Sequence, residues 1–520
     1  MLVKAFAAAV HGVDAQTITV EVNTGGVPGN ATDKPTFFTV GLPDNAVREG
    51  HFRIEGALKN TGLHLPRLKT IINLAPADLR KEGSAFDLPI AVGMLAGSGV
   101  IPRDGLDQFF MMGELSLDGS LRPIKGALPI AIQARRERFR GIILPKANAR
   151  EAAIVSDLEV YGVETLAEAL NVLSGKSGIQ PMQVNALEEF AANLNNYELD
   201  FSDVRGQENI KRALELAAAG GHNVILIGPP GAGKTMLARR LPTILPPLTL
   251  HEALETTKIH SVAGVLQAGA SLVTTRPFRA PHHTISDVAL VGGGSDPMPG
   301  EISVAHNGVL FLDELPEFKR TVLEVMRQPM EERKVTISRA KISVDYPASF
   351  MLIASMNPCP CGYYNHPDKD CVCAPGVVKR YLSKISGPLL DRIDLHVEVT
   401  PVSYDELAAR ERTKVCSAEI RERVLRAREI QAARYQGLKD VYNNAQMPSS
   451  MVRDVCRISD SGITLLKTAM ERLQLSARAY DRILKVARTA ADLGGSKDIR
   501  IEDLAEAIHY RSLDREGWAG

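Results

Sequence analysis

Eight consecutive residues near the middle of the chain, Gly228-Pro-Pro-Gly-Ala-Gly-Lys-Thr235, fit the pattern G-x-x-x-x-G-K-[ST]. An apolar run at Asn223-Val-Ile-Leu-Ile227 precedes them as a strand would, and a helical pattern follows from Lys234 to Arg240, stopping near Pro242. Glycines let backbone N–H groups turn inward around phosphates, and the helix N-terminus adds its dipole. A glycine turn that merely joins a strand to a helix does not need the lysine and the hydroxyl. The pattern predicts a phosphate-binding loop in an α/β domain.

This loop implies ATP and Mg²⁺ as cofactors. Lys234 is placed to reach the β- and γ-phosphates, and Thr235 to supply an oxygen to the magnesium ion. The residues expected to bind the nucleotide are Gly228, Pro229, Pro230, Gly231, Ala232, Gly233, Lys234, Thr235 and Met236.

Two further apolar runs end in polar residues that suit the same site. The run from Gly308 to Leu312 ends in Asp313 and Glu314, and a second run, 350–354, leads to Asn357. Asp313 is expected to hold the metal, Glu314 to deprotonate the attacking water and Asn357 to position it. Alone, these residues are equally consistent with an acidic turn and with an Asn that caps a turn before a proline. Continuous apolar strands between helical patterns indicate a parallel sheet covered on both faces.

Composition excludes some alternatives. The 520 residues carry 61 basic and 61 acidic side chains, so net charge gives no argument for binding to nucleic acid or membranes. The longest apolar stretch, 88–101, falls short of the ~20 residues needed to cross a bilayer. It reads as a buried helix that ends near Gly97. With only six cysteines, a disulfide framework is not expected. These features favour a cytoplasmic protein without a membrane partner.

Four of the six cysteines lie within fifteen residues, at Cys359, Cys361, Cys371 and Cys373. Two C-x-C pairs can supply four thiolates in a tetrahedron, which predicts a Zn²⁺ site. His366 could replace one thiolate, and four reduced thiols in a loop are the alternative. Cys416 and Cys456 are isolated and are expected only to pack.

The Gly228–Thr235 loop, Asp313-Glu314 and Asn357 together resemble the AAA+ ATPases, in the branch of magnesium chelatase ATPase subunits and MCM helicases. The resemblance implies a core with a helical lid. It also implies that Arg392, in Leu-Leu-Asp-Arg-Ile-Asp, acts as an arginine finger on ATP bound by a neighbouring subunit. Arg478, in Ser-Ala-Arg, is similar to the sensor 2 arginine near the γ-phosphate. Without the resemblance, both arginines would be read as surface ion pairs.

Longer motifs at 276–286, 292–301 and 357–362 resemble the ComM/YifB family, the bacterial magnesium chelatase-like proteins. The resemblance covers nearly the whole chain and implies a hexameric, ATP-driven DNA motor that promotes branch migration during natural transformation. It places a hairpin at 334–344 in the central pore and a second pore insert at 276–283. The DNA contacts it implies are Arg339 and Lys341 in the hairpin and Arg276 and Arg279 in the insert. From composition alone, these are solvated charges on ordinary loops.

The N-terminal region is similar to the catalytic domain of Lon protease, through 113–119, 143–148 and 81–86. Ser84 lies where that family has its nucleophile, but Leu128 occupies the position of the catalytic lysine. A serine without its base is a weak nucleophile. The resemblance implies a protease-like α+β domain without protease activity, and a shifted pair of Ser84 with Lys125 is the alternative.

The domain boundaries expected are 1–173 for the Lon-like domain, 174–198 for a linker, 199–400 for the ATPase core and 401–520 for the helical lid. Strands at 17–22 and 141–145 and helices near 45–61 and 126–138 are expected in the first domain. The functions left open beside the DNA motor are a metal-insertion ATPase and a Lon-like protein unfoldase or protease.

Overall fold

The structure is a computed structural model, and it falls into two compact units. The first comprises Met1–Asn193 with Leu250–Thr274, and the second comprises Leu194–Thr249 with Thr275–Gly520. The described residues are 1–25, 37–64, 69–194, 197–267, 269–294, 297–339, 342–364, 366, 369–401, 415–473 and 475–511.

A seven-stranded mixed sheet forms the centre of the first unit, in the order β3-β4-β2-β1-β5-β8-β9. β2 pairs antiparallel with β1 and β4, and the remaining neighbours pair in parallel. A two-stranded ribbon of β6 and β7 lies outside this sheet. The strands are β1 (Leu2–His11), β2 (Asp14–Gly25), β3 (Phe37–Val40), β4 (Lys69–Ala75), β5 (Phe109–Met111), β6 (Glu114–Leu115), β7 (Leu121–Arg122), β8 (Gly141–Pro145) and β9 (Glu159–Val163).

Alternating side chains on β1 and β2 build the core of this unit. Val3, Ala5 and Ala7 pair with apolar residues of β2 and are buried with them. The helix Asp87–Gly97 packs on this face with all of its residues buried, as its continuous apolar sequence predicts. Gly93 allows the close approach, because a Cβ there would lie 2.7 Å from the Val22 side chain.

The segment from Leu250 to Thr274 joins this unit although the sequence places it inside the expected ATPase core. Its helix packs on the helix Ala127–Arg136. The expected linker also holds structure, since a helix forms at Ala186–Ala192 and the first unit extends to Asn193. The helices of the unit are Asn45–Asn60, Asp87–Gly97, Ala127–Arg136, Lys146–Ala152, Leu166–Leu173, Ala186–Ala192 and Leu250–Ala263, with 3-10 turns at Ser84–Phe86 and Leu106–Gln108.

Five parallel strands form the sheet of the second unit, in the order β11-β14-β17-β10-β18. The three central strands are buried throughout, which confirms the parallel sheet expected from their apolar sequences. Two antiparallel ribbons, β12 with β13 and β15 with β16, lie outside the sheet. The strands are β10 (Val224–Ile227), β11 (Phe278–Arg279), β12 (Gly292–Gly293), β13 (Met298–Pro299), β14 (Val309–Leu312), β15 (Lys334–Arg339), β16 (Ile342–Pro347), β17 (Met351–Met356) and β18 (Leu395–Glu398).

C-terminal helices pack on the core helix Glu208–Gly220, chiefly through Ser417–Arg434 and Ala477–Leu493. Apolar residues at helical spacing face this contact, since Ile420, Val424 and Ala427 are buried. The unit's helices are Glu208–Gly220, Lys234–Arg240, Asp287–Val291, Glu301–Val304, Arg320–Val325, Arg327–Glu332, Pro375–Leu382, Gly387–Leu390, Ser417–Arg434, Ser449–Val455, Asp460–Arg472, Ala477–Leu493 and Ile501–His509, with 3-10 turns at Phe201–Asp203, Leu241–Thr243, Leu315–Glu317 and Asn444–Gln446.

Across the described ranges, the helices are all too short or too polar to pass through a bilayer.

Candidate functional site

The loop between β10 and the helix Lys234–Arg240 has the backbone that the sequence predicts. Gly231 and Gly233 have φ of 80° and 83°, values that favour glycine. Gly228 is required for a different reason, because a Cβ there would lie 2.3 Å from the carbonyl oxygen of Val399. The helix begins at Lys234, directly after the loop, so its first N–H groups point into the loop.

Lys234 is 9% exposed and points into the loop. Its Nζ donates to the carbonyl oxygens of Gly228 at 2.7 Å and Pro229 at 2.9 Å, and to Oδ1 of Asn357 at 3.1 Å. Burial lowers the pKa of Lys234, while the negative charges of Asp313 and Glu314 act in the opposite direction. The ammonium and the amide oxygen of Asn357 therefore meet beside the Gly228–Thr235 loop.

Asp313, at the end of β14, is the polar centre of the site. Thr235 Oγ1 donates to its Oδ2 at 2.8 Å, and the Ser355 hydroxyl on the neighbouring strand β17 donates to its Oδ1. A hydroxyl and a carboxylate held this close can bind one Mg²⁺ together, since oxygen ligands are those that Mg²⁺ prefers. The pairing of β14 with β17 brings Ser355 to Asp313.

Glu314 has a left-handed backbone conformation, with φ of 53°. Such a conformation is rare for residues other than glycine and clusters at functional sites. Its side chain is 58% exposed, and its Oε2 lies 3.5 Å from Nδ1 of His283. The carboxylate is therefore close to Asp313 in the chain, accessible to solvent and held by a histidine from a separate loop.

Arg392, expected to act on a neighbouring subunit, and Arg478, expected near the γ-phosphate, have partners within their own unit. Arg392 is 8% exposed and contacts Glu331, with Nη2 and Oε1 2.5 Å apart. Its Nη1 donates to the carbonyl oxygen of Pro388 at 2.6 Å. Arg478 is 66% exposed and lies 3.9 Å from Asp391, a carboxylate adjacent to Arg392. Arg478 is accessible, whereas Arg392 would have to leave Glu331 to reach a neighbouring nucleotide.

The four clustered cysteines come together in space. Their sulfur atoms all lie within 4.8 Å of one another, and the Sγ atoms of Cys359, Cys361 and Cys371 are 3.3, 3.5 and 3.7 Å apart. Four thiolates at a Zn–S distance of about 2.3 Å would be about 3.8 Å apart, so the spacing fits a tetrahedral ion. The same spacing is too long for a disulfide. His366 is not a member of this group of ligands.

The outlying cysteines are Cys416, which precedes the helix Ser417–Arg434, and Cys456, which is buried. Burial raises the pKa of the Cys456 thiol to about 12, which keeps it protonated and unreactive. Both therefore fit the packing roles expected of them.

The expected DNA-contact residues lie in two different settings. The hairpin of β15 and β16 forms as its alternating sequence predicts, with Val335 and Tyr346 buried on one face. On its polar face, Lys334 and Thr336 each donate a hydrogen bond to Asp345. Arg339 ends β15, and Lys341 lies outside the described residues.

Arg276 and Arg279 make internal contacts instead. Arg276 donates to the carbonyl oxygens of Pro246, Pro247 and Asn307, and Arg279 forms two hydrogen bonds of 2.6 and 2.7 Å with Glu301. The guanidinium groups of Arg421, Arg423 and Arg428 likewise bond to Thr243, Glu215 and Ala218. These arginines stabilise the second unit.

In the first unit, Ser84 donates a hydrogen bond to Glu114. Leu128, which occupies the position of the protease lysine, is fully buried. Lys125 packs with its side chain against Gly264, where its Cε would lie 2.7 Å from an added Cβ. The serine therefore has a carboxylate neighbour, while the expected base position is apolar.

Comparison with known proteins gives matches along nearly the whole chain. The description "Magnesium chelatase, subunit ChlI" matches residues 200–407, "Subunit ChlI of Mg-chelatase" matches 27–148, and "Magnesium chelatase, subunit ChlI C-terminal" matches 414–511. Competence protein ComM of Haemophilus influenzae is 44% identical over 98% of this chain and 97% of its own length. The chain belongs to the ComM/YifB family of magnesium chelatase-like proteins.

YifB of Escherichia coli is 42% identical over 98% of this chain and 96% of its own length. Lon protease 2 of Bacillus subtilis is 32% identical over 28% of this chain and 27% of its own length, a weaker relationship. The family resemblance stated from the motifs is confirmed. Membership of a magnesium chelatase-like AAA+ family, with the phosphate loop just described, indicates an ATPase.

Sequence reasoning missed several residues of the site. Ser355, His283 and Glu331 contact Asp313, Glu314 and Arg392 from distant parts of the chain. Gln207 donates to the carbonyl oxygen of Ala232 at 2.9 Å, which holds the phosphate loop from outside. Ser355 carried a signal, because a hydroxyl stands in the otherwise apolar strand β17. His283 lies inside the motif 276–286, which did not show that it would contact Glu314, and Gln207 and Glu331 lie in segments with no motif.

Proposed function

We propose that this protein is a ring-forming ATPase that moves along DNA and promotes branch migration in natural transformation or homologous recombination. One observation carries the ATPase part. Thr235 and Asp313 meet at 2.8 Å on one side of the phosphate loop, and Lys234 meets Asn357 at 3.1 Å on the other. This arrangement offers ligands for Mg²⁺ and a cation for the terminal phosphates, with Glu314 beside them to activate water.

The DNA part of the proposal rests on kinship and on the hairpin. A relative that is 44% identical to this chain bears the name of a competence protein. The hairpin presents a polar face. Arg339 is the last residue of β15, and arginine is a residue type that binds phosphate oxygens. Since Arg276 and Arg279 bond to internal acceptors, we assign them a supporting role within the second unit. A homo-hexamer acting in the cytoplasm completes the proposal.

The site would work across a boundary between subunits. Arg392 would leave Glu331 and approach ATP bound by the neighbouring subunit, and Arg478 would approach the γ-phosphate of its own. An arginine supplied in trans stabilises the charge that develops on the transferred phosphoryl group. Hydrolysis would then shift the helical lid and the hairpin together.

We also propose that Cys359, Cys361, Cys371 and Cys373 bind one Zn²⁺ per chain. The sulfur spacing supports this ion. Elemental analysis of protein purified without chelator tests the site, and the absence of any thiophilic metal would leave four free thiols.

The proposed motor is tested by measuring ATP hydrolysis alone and with single-stranded, duplex and branched DNA. Stimulation by branched or single-stranded DNA is the expected result. A rate that no DNA changes, but that rises with a chelatase partner, would favour the metal-insertion ATPase. ATP-dependent degradation of casein would favour the Lon-like protease, which the buried Leu128 does not support.

A further inference from the structure

The loop that carries the four cysteines lies against the phosphate loop. Gly362, inside the cysteine segment, has φ of 84°, and a Cβ added there would lie 2.5 Å from Cδ of Pro230 in the phosphate loop. The N–H of Gly362 donates to the carbonyl oxygen of Cys359 at 3.0 Å, so the turn begins at a cysteine of the cluster. The turn is therefore packed closely against Pro230.

The two ends of the cysteine segment also converge on the nucleotide site. Cys359 lies two residues after Asn357, whose side chain accepts a hydrogen bond from Lys234. After Cys373 the chain enters the helix Pro375–Leu382, and Tyr381 of that helix hydrogen-bonds with the backbone of Asn357. Asn357 thus lies next to the start of the cysteine segment and contacts the helix that follows its end.

The phosphate loop has open space next to its contact with the cysteine turn. A cavity of about 70 Å³ lies beside the contact, lined by Gly228, Pro229, Gly362, His366 and Glu398. A space of this size leaves room for the phosphate loop to shift if the cysteine turn moves away. The cysteine turn therefore contacts the phosphate loop at Pro230, beside this cavity.

We propose that the metal ion of the four-cysteine cluster positions the phosphate loop and Asn357, so that nucleotide affinity depends on metal loading. This inference rests on the zinc proposal above and assigns the ion a task in the ATP site rather than in the stability of a remote loop. The cysteines are positioning residues, since they act on the nucleotide through Pro230 and Asn357. Loss of the ion opens the turn, and the backbone N–H groups that hold the phosphates lose their alignment.

The first experiment measures binding of a fluorescent ATP analogue with Mg²⁺ to the full chain, before and after removal of the thiolate-bound metal by a chelator. We expect affinity to fall by roughly ten- to a hundredfold, the effect of losing one or two hydrogen bonds to charged phosphates. One equivalent of Zn²⁺ should restore it. Metal-free protein that keeps its circular dichroism spectrum and binds the analogue unchanged would overturn the inference.

Two glycine variants distinguish an effect on the position of the phosphate loop from an effect on folding. Gly362→Ala keeps all four thiols but forces a Cβ against Pro230, so we expect it to retain the metal and to lose nucleotide affinity by roughly tenfold. Gly437→Ala is the matched control, because Gly437 has the same φ of 84° with nothing within 4 Å of an added Cβ. Equal nucleotide affinity in the two variants would contradict the inference, even if metal-free protein unfolds.

The outcomes distinguish the two proposals. Protein that binds and hydrolyses ATP but holds no metal would overturn the zinc site and this inference and leave the ATPase standing. Protein that holds metal but binds no nucleotide, either with the metal or after its removal, would overturn the ATPase proposal itself. Cys373→Ser and Cys416→Ser complete the set, since only the first removes a thiol of the cluster. We expect only Cys373→Ser to lose metal and nucleotide affinity together.

Discussion

Lys234 and Glu314 have different settings in the site, and this separates their expected roles. Lys234 is almost fully buried and surrounded by oxygen acceptors that a bound phosphate would replace. Glu314 is exposed and held on a strained backbone, as suits a group that must contact water. One residue is therefore suited to binding and the other to chemistry.

Substitution at these two positions should give different defects. Lys234→Ala should abolish nucleotide binding, because the phosphates lose their main cation. Glu314→Gln should keep binding while hydrolysis falls by about 10²- to 10⁴-fold, the contribution of a general base. Binding of a fluorescent nucleotide and release of phosphate measure the two effects. Glu317→Gln is the control, since Glu317 is exposed, contacts Lys384 and should leave both unchanged. A wild-type rate in Glu314→Gln would remove Glu314 from the catalytic role.

Among the elements, the hairpin of β15 and β16 has the most clearly divided faces. Val335, Ile337 and Tyr346 are buried, while Thr336 and Ser338 are exposed. The exposed positions described on this hairpin can therefore be changed without disturbing the packed face.

Arg339→Ala combined with Lys341→Ala should weaken DNA binding while basal ATP hydrolysis survives. Loss of two phosphate contacts should reduce the log–log salt slope by roughly 1.4 to 1.8, and similarly for every DNA sequence. Fluorescence anisotropy on branched and single-stranded DNA at several salt concentrations measures this. The control is Lys467→Ala with Arg472→Ala on an exposed face of another helix. If both double variants bind DNA like the wild type, the hairpin does not contact DNA.

The contact between β18 and the helix Ala477–Leu493 depends on a buried carboxylate. Asp394 pairs with Arg482 and lies 3.3 Å from Nδ1 of His222. Burial disfavours its charge, but Arg482 and His222 outweigh burial and hold the pKa of Asp394 well below its usual range. Its stabilising effect is therefore fully present above the unfolded pKa of about 3.9 and is lost as the pH falls toward the folded pKa.

Asp394→Asn should lower the stability of the second unit by about 3 kcal/mol at pH 7, because Arg482 and His222 lose their buried partner. The difference from wild type should shrink as the pH falls below about 4. Urea unfolding followed at both pH values measures it. Asp391→Asn is the control, because Asp391 is partly exposed and lies 3.9 Å from Arg478. A pH-independent difference would show that packing, rather than charge, accounts for the loss.

At the scale of the whole molecule, a single chain either supplies every group needed for ATP hydrolysis or takes one from a neighbouring subunit. Arg392 is tied to Glu331 and Pro388 within its unit, and we propose that it leaves them to act on ATP bound by a neighbouring subunit.

Arg392→Ala should lower turnover by on the order of 10³-fold and leave nucleotide binding largely intact. Mixing this variant with Lys234→Ala subunits should restore some hydrolysis, because some boundaries then contain both groups. Phosphate release across a range of mixing ratios measures the recovery, and light scattering with nucleotide present checks assembly. Mixtures that never exceed their parents would show that Arg392 does not act in trans.

Local sequence determined the parts of the site that lie within a few residues of one another. The strand, the phosphate loop and the helix beginning at Lys234 follow from contiguous residues, since glycine φ values and helix periodicity are local properties. The strand before Asp313, the helix Asp87–Gly97 and the buried face of Ser417–Arg434 follow in the same way.

Tertiary structure alone decided which distant groups meet. Sequence could not place His283 beside Glu314 or give Arg279 the partner Glu301, because these contacts depend on loops whose paths are set by packing. Nor could it assign Leu250–Thr274 to the first unit, since its helix is buried by another helix more than a hundred residues away. Periodicity shows that a helix has an apolar face, but only the folded chain supplies the surface that covers it.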